Sequence, residues 1–287
     1  LELSNAPTAQ MVAVSSLFAL VSQFWGNFSV EERLELREFV MTQLRERAVG
    51  MQEIVVVKLA RLACRIIKLG WFDDLKFRDT RQETMAFFNV TMDHMLIGLL
   101  LLGELVGEMN LPTSGRTLTQ HRKTAVSFRD HSLYKVFEVA MQTLRHMRAG
   151  RMQGTPQQDT KIVELSLKLA SGCLGFDFIG TNPDESADDI QTVQVPTTWR
   201  ILVVDPTTIQ LFLDFYKNTA PPCSSLAMKA LVQLSSARRS LFNTEGEKAV
   251  FLNALMTGIQ DIMTTKHGMD FPDNYHEFCR LLGRLKT

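Results

Sequence analysis

Hydrophobic side chains return every three or four residues along nearly the whole of this chain, and that pattern restricts its architecture severely. Val14, Leu17, Val21 and Phe24 follow steps of 3, 4 and 3; Val55, Leu59, Leu62, Ile66 and Leu69 alternate steps of 4 and 3. Leu133, Phe137, Ala140, Leu144 and Met147 repeat the pattern, as do Phe251, Leu255, Ile259 and Ile262. Such spacing lines one face of a helix, where burial drives packing. Alternation with period two is confined to Val193–Val195 and Ile201–Val204, too short to build a sheet. The expected class is all-α.

Helix punctuation agrees. Ser29 with Glu32, and Thr244 with Glu247, have the capping-box spacing in which two side chains satisfy orphan amide donors reciprocally. Thr155-Pro156 and Asp205-Pro206 place a cap residue before a proline at the first helical position. All nine prolines fall at helix starts or connections. The spacing predicts helices near 9–25, 30–48, 51–70, 77–92, 93–110, 131–149, 156–175, 206–218, 222–242, 245–264 and 272–286. Their short connections imply antiparallel neighbours.

First helices of successive pairs begin near 9, 51, 93, 156, 222 and 272, and the early intervals approach the ~40–47 residues of HEAT-type repeats. Leu59, Leu62 and Leu69 reappear as Leu231, Leu234 and Leu241, an offset of 172, or four periods of about 43. The chain therefore reads as one continuous HEAT/armadillo-type α-solenoid segment, residues 1–287, in preference to a single bundle. Its antiparallel helix pairs span about 9–48, 51–92, 93–149, 156–218 and 222–264, with 272–287 incomplete.

Composition excludes more than it identifies. Lys plus Arg total 31 and Asp plus Glu total 31, so no global field points to nucleic acid or an anionic membrane. Cys64, Cys173, Cys223 and Cys279 form no CxxC pair and read as buried thiols in a reducing compartment. The greasiest run, Met95 to Leu102, breaks at Gly103-Glu104, short of the ~20 residues of a membrane span. Gly98, Gly103 and Gly107 on that helix are expected to let a neighbouring helix approach closely. No signal-peptide pattern opens the sequence, and both ends read as cut from a longer chain.

Particular strings carry a resemblance. Lys68-Leu69-Gly70-Trp71-Phe72-Asp73, Thr119-Gln120-His121-Arg122-Lys123 and Ser127-Phe128-Arg129-Asp130 are the first three. Phe176-Asp177-Phe178-Ile179-Gly180-Thr181 follows, with Thr192-Val193-Gln194-Val195-Pro196 and Trp199-Arg200. Arg238-Arg239-Ser240-Leu241-Phe242-Asn243 and Asn274-Tyr275-His276-Glu277-Phe278-Cys279-Arg280 complete the series, in order, from about residue 29 onward. Together they resemble an amino-terminal portion of the exportin-7 type of nuclear transport receptor, in the importin-β superfamily; residues 1–28 match less clearly. The resemblance implies a longer HEAT solenoid that binds Ran in its GTP form and protein cargo and meets nucleoporins while shuttling between nucleus and cytoplasm through the nuclear pore.

In that superfamily Ran lies against second helices of the early repeats. The resemblance thus nominates the polar stripes of 30–48 (Glu35, Glu38, Thr42 and Arg45) and 77–92 (Arg78, Gln82 and Asn89). Independently, Asp177, Asp184, Glu185, Asp188 and Asp189 place five carboxylates in thirteen residues without a basic residue among them. This 177–195 acidic insertion loop suits docking on a basic patch of Ran or cargo, or simple solvation. Arg116, His121, Arg122, Lys123 and Arg129 form a basic connection lacking the interleaved aromatics of a nucleic-acid site. Trp71-Phe72 reads as a packed plug at a helix end.

No GxSxG, glycine-rich phosphate loop or HExxH occurs, and the histidines are dispersed, so the expectation is a binding scaffold with no cofactor or metal and no enzymatic activity. Neither nucleic acid nor membrane is expected as a partner. The competing reading is a HEAT-repeat assembly scaffold without Ran dependence.

Overall fold

A computed structural model of the chain describes residues 6–178 and 195–285, apart from the side chains of residues 80–82. The described residues form thirteen α-helices: α1 (Pro7–Phe24), α2 (Val30–Glu46), α3 (Glu53–Gly70), α4 (Thr80–Phe88), α5 (Met92–Asn110), α6 (Leu118–Phe128), α7 (Tyr134–Arg148), α8 (Pro156–Leu174), α9 (Arg200–Val203), α10 (Pro206–Asn218), α11 (Cys223–Ser235), α12 (Glu245–Thr265) and α13 (Pro272–Leu285). The expected all-α class holds. The chain divides into two compact units, Leu1–Val136 and Phe137–Thr287.

In the first unit α1, α3 and α5 pack side by side, with α2 and α4 laid against α3 and α5. This is HEAT-type layering, a row of first helices backed by a row of second helices. Val14 and Val21 of α1, Val55, Leu59, Leu62 and Ile66 of α3, and Leu101, Leu102 and Leu105 of α5 fill the seam. Burying each such side chain contributes about 1.5–3 kcal/mol against leaving it in water. Polar contacts along that row link residues 43 apart: Lys58 to Ser15 at 3.2 Å, Arg61 to Glu104 at 3.0 Å and Arg65 to Glu108 at 2.8 Å. The ~43-residue period inferred from the leucine echo thus matches the step from helix to helix.

Lys68, one turn further along α3, is buried. Its Nζ donates to the carbonyls of Glu108, at 2.6 Å, and Leu111, and lies 3.7 Å from the Glu108 carboxylate. Carbonyls at a helix end have no partner within their own helix, so α3 supplies a cationic cap to α5. Burial, only partly offset by Glu108, lowers the Lys68 pKa from 10.5 to about 8.

In the second unit α8, α11 and α13 form one row, and α10 and α12 pack together with α10 against α11. Tyr216 Oη donates to the His267 carbonyl at 2.7 Å, and buried Ser224 donates to Asn274 at 3.0 Å. A methyl group placed on Gly258 would stand 2.4 Å from Leu213 Cδ1, so glycine here sets how closely α12 approaches α10.

Several expectations need correction. The basic connection containing His121 and Lys123 is helix α6, capped by a reciprocal Thr117–Gln120 box and carried through a π-turn at Arg129–Leu133 into α7. The helix expected over 77–92 is shorter: a 3₁₀ turn at Leu75–Phe77 precedes α4. Ser29–Glu32 forms the full capping box, but Glu247 turns its carboxylate to Asn243 N and Arg200, leaving Thr244 as a one-way cap. Gly98 faces Phe88 and Phe87 as expected, whereas Gly103 and Gly107 have nothing near them. Cys279 is exposed, unlike Cys64, Cys173 and Cys223. The 95–102 run lies within α5, and among the described residues it is 7–27 that form a helix long and apolar enough by composition to cross a membrane, with mean hydropathy 1.2. That helix packs on α3 and leaves Val12 and Phe24 exposed.

Candidate functional site

The nominated residues of α2 fall on one stripe because they recur at three- and four-residue steps. Glu35 and Glu38 are exposed, and Thr42 and Arg45 are half-buried. Glu38 ties the group together: Thr42 Oγ1 donates to its carboxylate at 3.5 Å, and Arg45 Nη2 stands 4.0 Å away. The Arg45 carbonyl lies 3.1 Å from His94 Nε2 at the start of α5, anchoring the end of the stripe.

Beside this stripe is a residue that the sequence reading passed over. Arg37 is buried, with its guanidinium 5.9 Å from the centre of the Phe77 ring, and it forms an ion pair with Glu83 of α4. Glu38 also approaches Arg37 at 3.9 Å. Ion pairs of this kind resist separation because an abandoned buried charge costs several kcal/mol. Arg37–Glu83 therefore clamps α2 to α4 and fixes the polar stripe on α2. An arginine between Leu36 and Val40 in an amphipathic helix was the available signal.

The second nominated group is dispersed. Arg78 is engaged structurally: its Nε donates to the Trp71 carbonyl at 2.8 Å and its guanidinium covers the Phe72 ring at 5.0 Å. Asn89 is exposed just beyond α4, and the Gln82 side chain lies outside the described residues. Trp71 is the expected plug, 1% exposed, with Nε1 donating to Ser127 Oγ at 3.0 Å.

Of the acidic loop, Asp184, Glu185, Asp188 and Asp189 lie outside the described residues. Asp177 is half-buried at the loop's foot rather than out on an arm. Its neighbour Phe178 meets Trp199 edge-on at 5.5 Å, and Trp199 stacks on Phe137 at 5.1 Å. Arg238 holds the Val195 carbonyl at 3.1 Å. Both ends of the insertion are thus pinned to the second unit by aromatic burial and one arginine.

Elsewhere titration is shifted by ordinary structural causes. Burial pushes the Cys64 and Cys173 thiols well up, Cys223 up to about 11, and Tyr216 up. Burial opposes ionisation of Glu164, but its bonds to Lys168 and Lys161 prevail and hold its carboxyl low. These environments stabilise neutral thiols, the opposite of what a nucleophilic cysteine needs.

No family profile matches the chain. Among curated proteins, human Ran-binding protein 17 is 40% identical over 291 residues, covering 100% of this chain and 26% of that protein. The chain belongs to the exportin-7 and Ran-binding protein 16/17 family. Exportin-7-A of Xenopus laevis is 38% identical, and Ran-binding protein 16 of Drosophila melanogaster is 36% identical, each again over 100% of this chain. The alignments with these three relatives run through residues 1–28 as well. The chain spans about a quarter of the length of these relatives, 26–27%. The relatives are named for export and for Ran binding, with no enzymatic activity in those names.

Proposed function

We propose that this segment of an exportin-7-type protein works purely by binding, and that it contributes to a docking surface for Ran in its GTP form. Relatives along the full chain carry Ran-binding and exportin names. The observation that carries the assignment of a surface is the α2 stripe, Glu35, Glu38, Thr42 and Arg45, exposed or half-exposed and held by the buried Arg37–Glu83 clamp. Preorganised charges of this kind steer encounter and specify register more than they add raw affinity. Exposed Asn89 is assigned to the same surface and Gln82 is nominated with it from the sequence alone, while Arg78 is engaged by the Trp71 carbonyl and the Phe72 ring. The 177–195 loop supplies a second, negative contact for Ran or cargo. In the whole protein, cargo and nucleoporins engage further repeats, and the receptor shuttles between nucleus and cytoplasm.

The test is binding of the chain to Ran loaded with a non-hydrolysable GTP analogue or with GDP, by biolayer interferometry. Preferential capture of the GTP-analogue form, weakened by Glu38→Lys with unchanged helicity, supports the reading. Equal or absent binding of the two forms refutes Ran docking by this segment and favours an assembly scaffold.

A further inference from the structure

The basic segment 116–123, left unused by the function above, lines a cavity in the first unit. The cavity measures about 190 Å³ and lies among the end of α3, the connection after α5 and the first turns of α6. Pockets for drug-sized ligands run to roughly 300–1,000 Å³, so this one accommodates a side-chain head group rather than a nucleotide.

Its charges do not cancel internally. Asp73 also lines it, but that carboxylate is occupied by Arg33 at 2.7 Å and by Trp25 Nε1 at 3.2 Å. Lys68 is occupied by Glu108 and the carbonyls that end α5. Arg116 and Lys123 remain: both are exposed, both line the cavity, and among the described residues neither has an acidic partner within ion-pair distance. The Gln120 side-chain oxygen accepts from Thr117 N, and its amide nitrogen is left to donate. Buried beside them is Thr113, 4% exposed, whose Oγ1 has no hydrogen-bond partner. A buried hydroxyl without a partner is left with an unmet hydrogen bond, which an incoming acceptor would satisfy. Leu69 and half-exposed Phe72 form an apolar wall.

We infer that this cavity is a receptor for an acidic side chain of a partner protein: a carboxylate that accepts from Thr113, Gln120, Arg116 and Lys123, with a neighbouring apolar residue against Phe72. A protein segment is favoured over nucleic acid because the chain carries no net charge and only one aromatic ring flanks the cations. The inference is independent of Ran docking on α2.

The probe is a short fluorescein-labelled peptide of alternating Glu, Asp and Phe, titrated against the whole chain at low salt by fluorescence anisotropy. Arg116→Glu with Lys123→Glu should weaken binding at least about tenfold. Thr113→Val should weaken it roughly threefold while Thr113→Ser retains it, matching the loss of one hydrogen bond. Lys248→Glu, on α12, should leave it unchanged. Unaltered affinity in Thr113→Val with native circular dichroism would overturn insertion into the cavity. Equal binding of the Gln, Asn and Phe peptide would overturn the carboxylate. Displacement at lower concentration by inorganic phosphate or by a single-stranded oligonucleotide would overturn the protein partner.

Discussion

Replacing Gly70 with alanine tests whether the close fit at the end of α3 supports the α2–α4 surface. A Cβ at Gly70 would lie 2.6 Å from Phe77 Cε1 and 2.7 Å from Cδ1 and Cζ. The ring cannot simply turn away. It is fully buried, meets Trp25 edge-on at 6.3 Å and carries the Arg37 guanidinium at 5.9 Å on its face. Overpacking of a well-filled core costs about 1–3 kcal/mol. Alanine regains up to ~1 kcal/mol of helix propensity, less at a terminal residue. The net expectation is a loss of about 1–2 kcal/mol, or roughly 3–6 °C in the melting temperature for a cooperative unit of this size. Urea titration followed by circular dichroism measures it. Phe77→Leu in the Gly70→Ala background should recover part of the loss, giving a coupling near 1 kcal/mol in a double-mutant cycle. A neutral Gly70→Ala, or additive effects of the two changes, would refute the argument.

Arg37→Ala should destabilise by about 1–3 kcal/mol and weaken binding of the GTP-analogue form of Ran, read by urea titration and interferometry on the same preparations. Lys68 predicts a pH effect: its folded pKa, about 8, lies below the unfolded 10.5. Between those values the unfolded chain binds more protons, so stability relative to Lys68→Met should rise with pH through that window and stay flat below it. Denaturation midpoints of the two proteins across that range provide the check, and a falling difference would contradict the assignment. Replacing Asp184, Glu185, Asp188 and Asp189 with Ser should slow association with Ran or cargo at low salt and leave helicity intact, as stopped-flow mixing would show. Thr117→Ala should cost about 0.5–2 kcal/mol by uncapping α6, measurable by thermal melting.

Much of the fold was legible because burial and capping act locally. The steps of three and four that mark α3 and α7 correspond to faces packed almost without exposure, and Ser29–Glu32 formed its box. Helix α6 escaped because its buried seam, His121, Thr124, Ala125 and Phe128, is half polar and lies among Gln120, Arg122 and Lys123. The Thr117–Gln120 spacing was its visible signal. Sequence placed Glu38, Thr42 and Arg45 on one stripe, yet Arg37 looked like one more polar residue. Its importance depends on Glu83 and Phe77, 46 and 40 residues away, and such pairings follow from tertiary packing rather than periodicity. Arg78 was misleading for a different reason, since its partners are local: a backbone carbonyl and a ring in the preceding turn.

The contacts from α3 to α5 behave as a two-toothed rack. Arg61 and Arg65 stand one helical turn apart, as do their partners Glu104 and Glu108. Sliding α5 by one turn would re-mesh a single tooth and tear Lys68 from both carbonyls it holds, so the misaligned arrangement forfeits one of the two arginine–glutamate pairs and its cap together. Deleting one turn from the 71–91 connection would strain this alignment, whereas excising a whole repeat would bring a different helix, with different teeth, against α3. Chimeras that exchange repeats should therefore be cut with Arg61, Arg65, Lys68, Glu104 and Glu108 kept on one parent.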